Sequence, residues 1–196
     1  FIINGSNLID GFNGLLSIHS LIIFIILFFI NLINGANNIA YILFYISILM
    51  IIFIKFNFPK AKMFLGDSGA YLTGAFIAIS VIQTSILNPN ISPLFFCILL
   101  FYLFFEVFFS FFRKLLVARQ SPLLPDNQHL HMKIYKFLLT KKFSKAKANY
   151  TTSIYINFAY LLLITPGIIF LENNFFCKYY FLIFLLVYIY FYRKIK

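Results

Sequence analysis

Six long apolar runs, at residues 15–33, 39–54, 71–87, 93–112, 153–171 and 175–192, alternate with short segments in which Asn, Asp, Gly, Lys and His gather. Most of these runs approach the ~20 residues that a helix needs to cross a bilayer, and 39–54 and 71–87 reach it with their flanks. The pattern predicts an all-α fold: a polytopic membrane helical bundle of about six transmembrane helices joined by polar loops. The run 15–33 does not read as a signal peptide, because Asp10 and Asn13 precede it in place of a basic stretch and further spans follow. The turn Asn34-Gly35-Ala36-Asn37-Asn38 suits a tight connection between the first two spans. Pro59 ends the second, and Ala70, Gly74 and Ala78 form a small-residue packing seam on the third. Thr165-Pro166-Gly167 predicts a kink in the fifth.

Composition supports the membrane reading. The chain is 62% hydrophobic and 11% charged, against about 25% charged residues in a soluble domain. Of its 16 Lys and Arg, all but Lys178 fall in residues 1–14, 55–70, 113–152 and 193–196, which six crossings place on one side. The positive-inside rule makes that side cytoplasmic, as in a multi-pass protein of a bacterial inner (plasma) membrane with a cytoplasmic C-terminus. The net charge of +11 then reflects orientation and attraction to anionic headgroups. No recognition motif accompanies it, so nucleic acid is not an expected partner. Cys97 and Cys177, near the outer ends of spans, are expected to be buried free thiols.

Against this apolar background five acids stand out: Asp10, Asp67, Glu106, Asp126 and Glu172. Asn4, Asn7, Asp10 and Asn13 recur every third residue and share one stripe of a helix or 3₁₀ turn. Four polar side chains at the entry to a span need partners or a ligand; a helix N-cap at Asp10 or Asn13 would account for only one of them. Gly66-Asp67-Ser68-Gly69 sets a carboxylate between glycines that permit close backbone approach, and such a carboxylate can ligate a hard cation. Asp126 precedes His129-x-His131, two imidazoles for a metal or a phosphate if the backbone is extended, without the further ligands of a zinc site. His19 reads as a helix-packing histidine. Glu106, well inside the fourth span, must be protonated, paired or facing a polar cavity. These loops converge on the expectation of a metal-assisted phosphoryl-transfer site at one membrane face.

Three of these motifs, in this order, resemble those of the polyprenyl-phosphate N-acetylhexosamine-1-phosphate transferase family. Asn4-x-x-Asn7-x-x-Asp10-Gly11-x-Asn13-Gly14 is similar to its N-x-x-N-x-x-D-G-x-D-G stretch, and Phe64-Leu65-Gly66-Asp67-Ser68-Gly69 to its F-x-G-D-x-G loop. Asp126 to His131 is similar to its histidine motif, closer to the glycan-initiating branch than to the phospho-MurNAc-pentapeptide translocase. The resemblance implies transfer of a sugar-1-phosphate from a UDP-sugar to polyprenyl phosphate with release of UMP, aided by Mg2+, with Mn2+ as an alternative. It implies Asp67 as the metal ligand and, with Asp10, His129 and His131, as catalytic machinery. Asn4, Asn7, Asn13, Gly66 and Asp126 are implied in substrate binding. Asn13 departs from the usual second Asp of the first motif, and Met132 stands where many members carry another His. The family's adjacent Asp-Asp pair is upstream of the first motif. Residues 1–196 are accordingly expected to be the C-terminal part of a single integral-membrane transferase domain, inactive alone, with a homodimer among the expected assemblies. The competing readings are an intramembrane prenyltransferase, which needs clustered acids, and a transporter or channel segment, which needs ionisable groups at the membrane midplane.

Overall fold

The computed structural model describes residues 1–119, 121 and 126–195; Pro122–Pro125, leading into the histidine motif, and Lys196 of the basic set lie outside them. Its helices are α1 (Ile2–Ile9), α2 (Leu15–Ile33), α3 (Asn37–Asn57), α4 (Gly66–Leu87), α5 (Pro93–Leu99), α6 (Phe101–Phe112), α7 (Leu130–Thr140), α8 (Lys145–Ile169) and α9 (Asn174–Lys194), with a π-helical stretch at Arg113–Ala118 continuing α6. Helices α2, α3, α4, α8 and α9 are each long and apolar enough to cross a membrane. The chain is a multi-span membrane protein built from helices.

One expected span is bent. Residues 93–112 do not form a straight rod: α5 and α6 meet at 75°. The break is at Leu100, whose ψ of 3° leaves the helical basin. No Gly or Pro marks it. The adjoining carbonyl is not stranded in hydrocarbon, because Tyr160 of α8 donates its hydroxyl proton to Leu99 O at 2.7 Å. Farther along, α8 runs unbroken through Pro166, which falls in its last turn.

The core forms around α2, with Leu15, Leu16, Ile23, Phe24 and Leu27 fully buried where it meets α3, α4 and α8. His19 is the packing residue expected, its ring tilted against that of Tyr160 with 4.2 Å between centroids and with Nδ1 3.1 Å from Asn157 Oδ1. Toward the other end of α2, Asn31 donates to both Leu27 O and Thr84 Oγ1 at 2.7 Å, a polar pin between α2 and α4. Phe101, Phe105 and Phe109 of α6 meet Phe184, Tyr188 and Tyr192 of α9 edge to face, at 5.2, 4.8 and 4.7 Å. The α2 N-cap is not Asp10 or Asn13 but Gly14, at φ 79°. Its N–H donates to Asn57 Oδ1 at 2.6 Å, which frees both polar side chains for other partners. Cys97 is exposed, contrary to expectation, because α5 turns Phe95, Phe96, Ile98 and Leu99 inward. Both cysteines are free.

Helix α1 lies between α4 and α6. A Cβ on Gly5 would sit 2.0 Å from the backbone oxygen of Leu103, and one on Gly74 would sit 2.7 Å from Ser6 Oγ and 2.8 Å from Ile3 Cα. The small-residue seam of α4 thus receives α1 rather than a neighbouring span. Overpacking at such a contact costs about 1–3 kcal/mol, and each kcal/mol lowers Tm by about 2–4 °C at this size. Gly5→Ala is therefore expected to melt several degrees below the parent in detergent, while Gly11→Ala, whose new methyl meets nothing within 4 Å, melts unchanged. Equal melting of the two variants would refute the close α1–α6 approach.

Candidate functional site

The glycine contacts of α1 decide where its polar stripe points. Asn7 Nδ2 donates to Asp67 Oδ1 at 3.0 Å, joining the first two motifs across 60 residues. Asp67 is exposed in the first turn of α4, where the helix dipole favours a negative charge. Gly66, at φ 65°, provides the left-handed turn that starts this helix. Asp10 is half-buried, and its carboxyl is raised to about 6, first because burial strips its water and second because the Asp67 carboxylate stands beside it. Two neighbouring acids, one of them resisting ionisation, form a donor set that a cation would relieve. Magnesium takes oxygen ligands and commonly uses one or two protein carboxylates, with phosphate oxygens and waters filling the rest. The pair fits that chemistry. Among the described residues no three His, Cys, Asp or Glu side chains gather into a self-sufficient metal cage.

Asn13 takes a different place from the rest of its motif. Its side chain donates to Pro59 O at 2.9 Å, and its N–H donates to Asn149 Oδ1 at 2.8 Å. Asn57, besides holding Gly14, donates to Met63 O at 2.8 Å. These amides stitch the loop after α1 to the loop before α4 and to the start of α8.

The histidine motif is built on α6, α7 and α9. Asp126 accepts from Ser110, Arg113 and the Gln128 N–H. Burial alone would raise its carboxyl, but those hydrogen bonds, the neighbouring His129 ring and the Arg113 guanidinium hold it below the usual carboxylate range. His129, with extended backbone at ψ 153°, is the residue from which α7 starts. Its Nδ1 lies 3.0 Å from Glu106 Oε2, and its Nε2 lies 3.7 Å from Asp126 Oδ2. His131 is already helical, its ring parallel to that of His129 at 5.4 Å, with Tyr102 Oη 3.3 Å from its Nδ1. Burial above all lowers His131 to about 4, so it is neutral at pH 7. Of the three states open to Glu106 in the sequence, the structure selects pairing: Oε1 also accepts from Tyr188 Oη at 2.9 Å and from the Leu130 N–H at 3.2 Å.

A cavity of about 1010 Å³ opens between α1, α6 and α7. Asn4, Asp126, Asn127, His129, His131 and Asn149 give it polar walls, and Leu8, Phe12, Val107, Phe111 and Met132 give it apolar ones. Asn7, Asp10, Asp67, Asn13 and Gly66 are not among its lining residues. The predicted residues therefore divide into an acid cluster of Asn7, Asp10 and Asp67 and a cavity cluster of Asn4, Asp126, His129 and His131, with α1 contributing to both. Ser110, Arg113, Tyr102 and Tyr188 were not foreseen. Glu106, Ser110 and Arg113 follow i, i+4, i+7, a polar stripe that helical periodicity could have revealed; nothing distinguishes Tyr188 among the 13 tyrosines.

Residues 1–85, which hold the acid cluster, match the family described as glycosyl transferase family 4. The chain is 34% identical over 129 residues to the undecaprenyl-phosphate alpha-N-acetylglucosaminyl 1-phosphate transferase of Thermotoga maritima, a match covering 66% of this chain and 38% of that protein. It is 41% identical over 85 residues to the phospho-N-acetylmuramoyl-pentapeptide-transferase of Leuconostoc mesenteroides, covering 42% of this chain and 26% of that one. The corresponding enzyme of Leuconostoc citreum is 38% identical over 81 residues, 40% of this chain and 25% of its own. The chain thus matches well under half the length of these curated relatives. No solved structure matches it.

The raised Asp10 carboxyl has a signed consequence. Between about pH 4 and 6 the folded state holds a proton that the unfolded state releases, so this group's contribution to stability is complete below pH 4 and lost as pH rises through 6. Asp10→Asn removes the liability. It is expected to raise Tm above the parent at pH 7–8, by about 2 °C or more, with the gain shrinking toward pH 4. A gain independent of pH would refute the assignment.

Proposed function

From the match of residues 1–85 to glycosyl transferase family 4 we propose that this chain carries a major part of a site transferring a sugar-1-phosphate from a UDP-sugar to polyprenyl phosphate, with release of UMP. The observation that carries the proposal is the Asn7–Asp67 hydrogen bond with Asp10 beside it, which joins the first two motifs into one oxygen-rich cluster. The orientation proposed, with this face cytoplasmic, rests on the concentration of Lys and Arg in its loops.

The physical difficulty of the reaction is to bring a phosphate monoester dianion against a diphosphate. Asp67 and Asp10 would hold Mg2+, or Mn2+ in its place, and the bound ion would supply neutralisation of charge on the diphosphate oxygens. Asn7 orients the Asp67 carboxylate through its amide. Asp10, raised to about 6, is harder to ionise than an ordinary carboxyl, and a cation held here would favour its ionised form. His129 and His131 meet phosphate across the cavity, and neutral His131 serves there as a hydrogen-bonding group rather than a point charge. Asp126, on the cavity wall, holds Arg113. The apolar wall of Phe12, Val107 and Phe111 suits the first isoprene units of the lipid, which reach the site from the bilayer. In-line positioning by these groups does much of the remaining work.

The test uses membranes expressing the open reading frame that encodes this chain, with radiolabelled UDP-N-acetylglucosamine, polyprenyl phosphate and Mg2+. Label is expected in the lipid fraction together with UMP. Asp67→Asn is expected to lower both by about 100-fold or more, the scale of losing one contact to developing charge. A different UDP-sugar giving the same Asp67 dependence would change the donor and keep the mechanism. Absence of transfer with every UDP-sugar would overturn the reading.

A further inference from the structure

The proposed chemistry uses His129 but leaves Glu106 without a task. Glu106 is 1% exposed on α6 and is surrounded by an aromatic wall. A carboxyl group in such a place is costly unless donors meet it. Among the donors that do so are one from α9 and two from the start of α7: Tyr188 Oη, the Leu130 N–H and His129 Nδ1. Two of these converge on Oε1 and the imidazole meets Oε2, while the Tyr102 hydroxyl also bonds to this carboxyl. With both oxygens accepting, the ring nitrogen that faces Glu106 is the one bearing hydrogen. An isolated neutral imidazole exchanges freely between two tautomers, and the partner of one nitrogen decides what the other offers.

We propose that Glu106, set in place by Tyr188 and the Leu130 N–H, is the positioning residue for His129: it fixes the proton on Nδ1 and thereby presents Nε2 to the Asp126 side of the cavity. The inference rests on the reading of His129 as a group that faces phosphate, and it adds the device that orients it. Glu106 itself touches no substrate. Tyr188 is held in turn by Phe105 and Phe109, at 4.8 and 5.5 Å between ring centroids, so the orientation of one loop histidine is referred back to the α6–α9 contact. The start of α7 is braced independently, because Lys133 Nζ donates to Tyr192 O at 2.6 Å.

The test combines a tautomer measurement with kinetics on the full protein in bilayers. The chain has three histidines, so nitrogen-15 histidine labelling gives an assignable spectrum once His19 and His131 are each substituted. His129 is expected to carry hydrogen on Nδ1 in the parent. Glu106→Gln, of equal size, is expected to shift hydrogen to Nε2 or mix the tautomers. Tyr188→Phe, which keeps the aromatic packing, is expected to do so in part. In the labelling assay Glu106→Gln is expected to lower kcat by about 10- to 100-fold, the range for losing a carboxylate that orients a functional imidazole, with KM for the UDP-sugar unchanged. Nδ1 bare in the parent, or a ring unaffected by Glu106→Gln, would overturn the proposal whatever the activity. A tautomer shift in a protein that transfers no sugar would uphold the positioning role and sink the transferase reading, so the two failures are distinguishable.

Discussion

The contact between the Gly5 backbone and the carbonyl of Leu103, with Gly74 admitting Ser6 and Ile3 on the opposite side, sets the distance at which α1 can lie between α4 and α6. That distance governs both halves of the polar face. Moved outward by the width of one methyl group, α1 would carry Asn7 out of hydrogen-bond reach of Asp67 and would also move the wall formed by Asn4, Leu8 and Phe12. Apolar burial gives little preference for one helix separation over another inside a bilayer, where lipid tails are as apolar as Leu. Close packing of small residues does discriminate, because dispersion contacts decay within an ångström.

Three carboxyls in this face are treated in three ways. Asp126 has more donors than its burial requires and ionises readily; Glu106 is wholly buried and is balanced by donors from elements separated by tens of residues; Asp10 is left short, half-buried beside another negative group. A fold under selection for stability alone would not keep the third arrangement, and perturbed acids of this kind gather where ligands bind. The pairing of Glu106 also removes the main support for a transport pathway, since the acid deepest in the spans is committed to Tyr188 and His129.

Much of the architecture was legible in the chain. The run 15–33 coincides with α2, and four other runs differ from their helices mainly at polar ends, because lone Asn, Gly and Lys residues extend a helix without looking apolar. The bend at Leu100 was not legible: it follows from how α5 meets α8 and α9, and its sequence reads as continuous Phe and Leu. Helix α7 was hidden inside the basic loop for a related reason, since its apolar residues cover a local patch rather than a span. In the site, the three-residue period of Asn4, Asn7 and Asp10 identified a stripe that the fold uses, and the Gly-Asp-Ser-Gly stretch identified the acid that the stripe meets. Asn13 fitted the same period, yet the turn after Asp10 rotates it toward Pro59. The partners of Glu106 lie 23 to 82 residues away, and no local pattern reports contacts at that range.

The amides of Asn13, Asn57 and Asn149 join three loops that could otherwise move separately. Fixing a residue's backbone costs about 1–2 kcal/mol in conformational entropy, and a binding face made of loose loops pays that cost each time a ligand arrives. Here Asn57 alone holds Gly14 and Met63 together, and Asn149 holds Asn13. Ordering of these loops is therefore completed during folding, before any encounter. A ligand reaching this face loses its own freedom but need not quench that of the loops, so more of each contact's strength remains available as affinity.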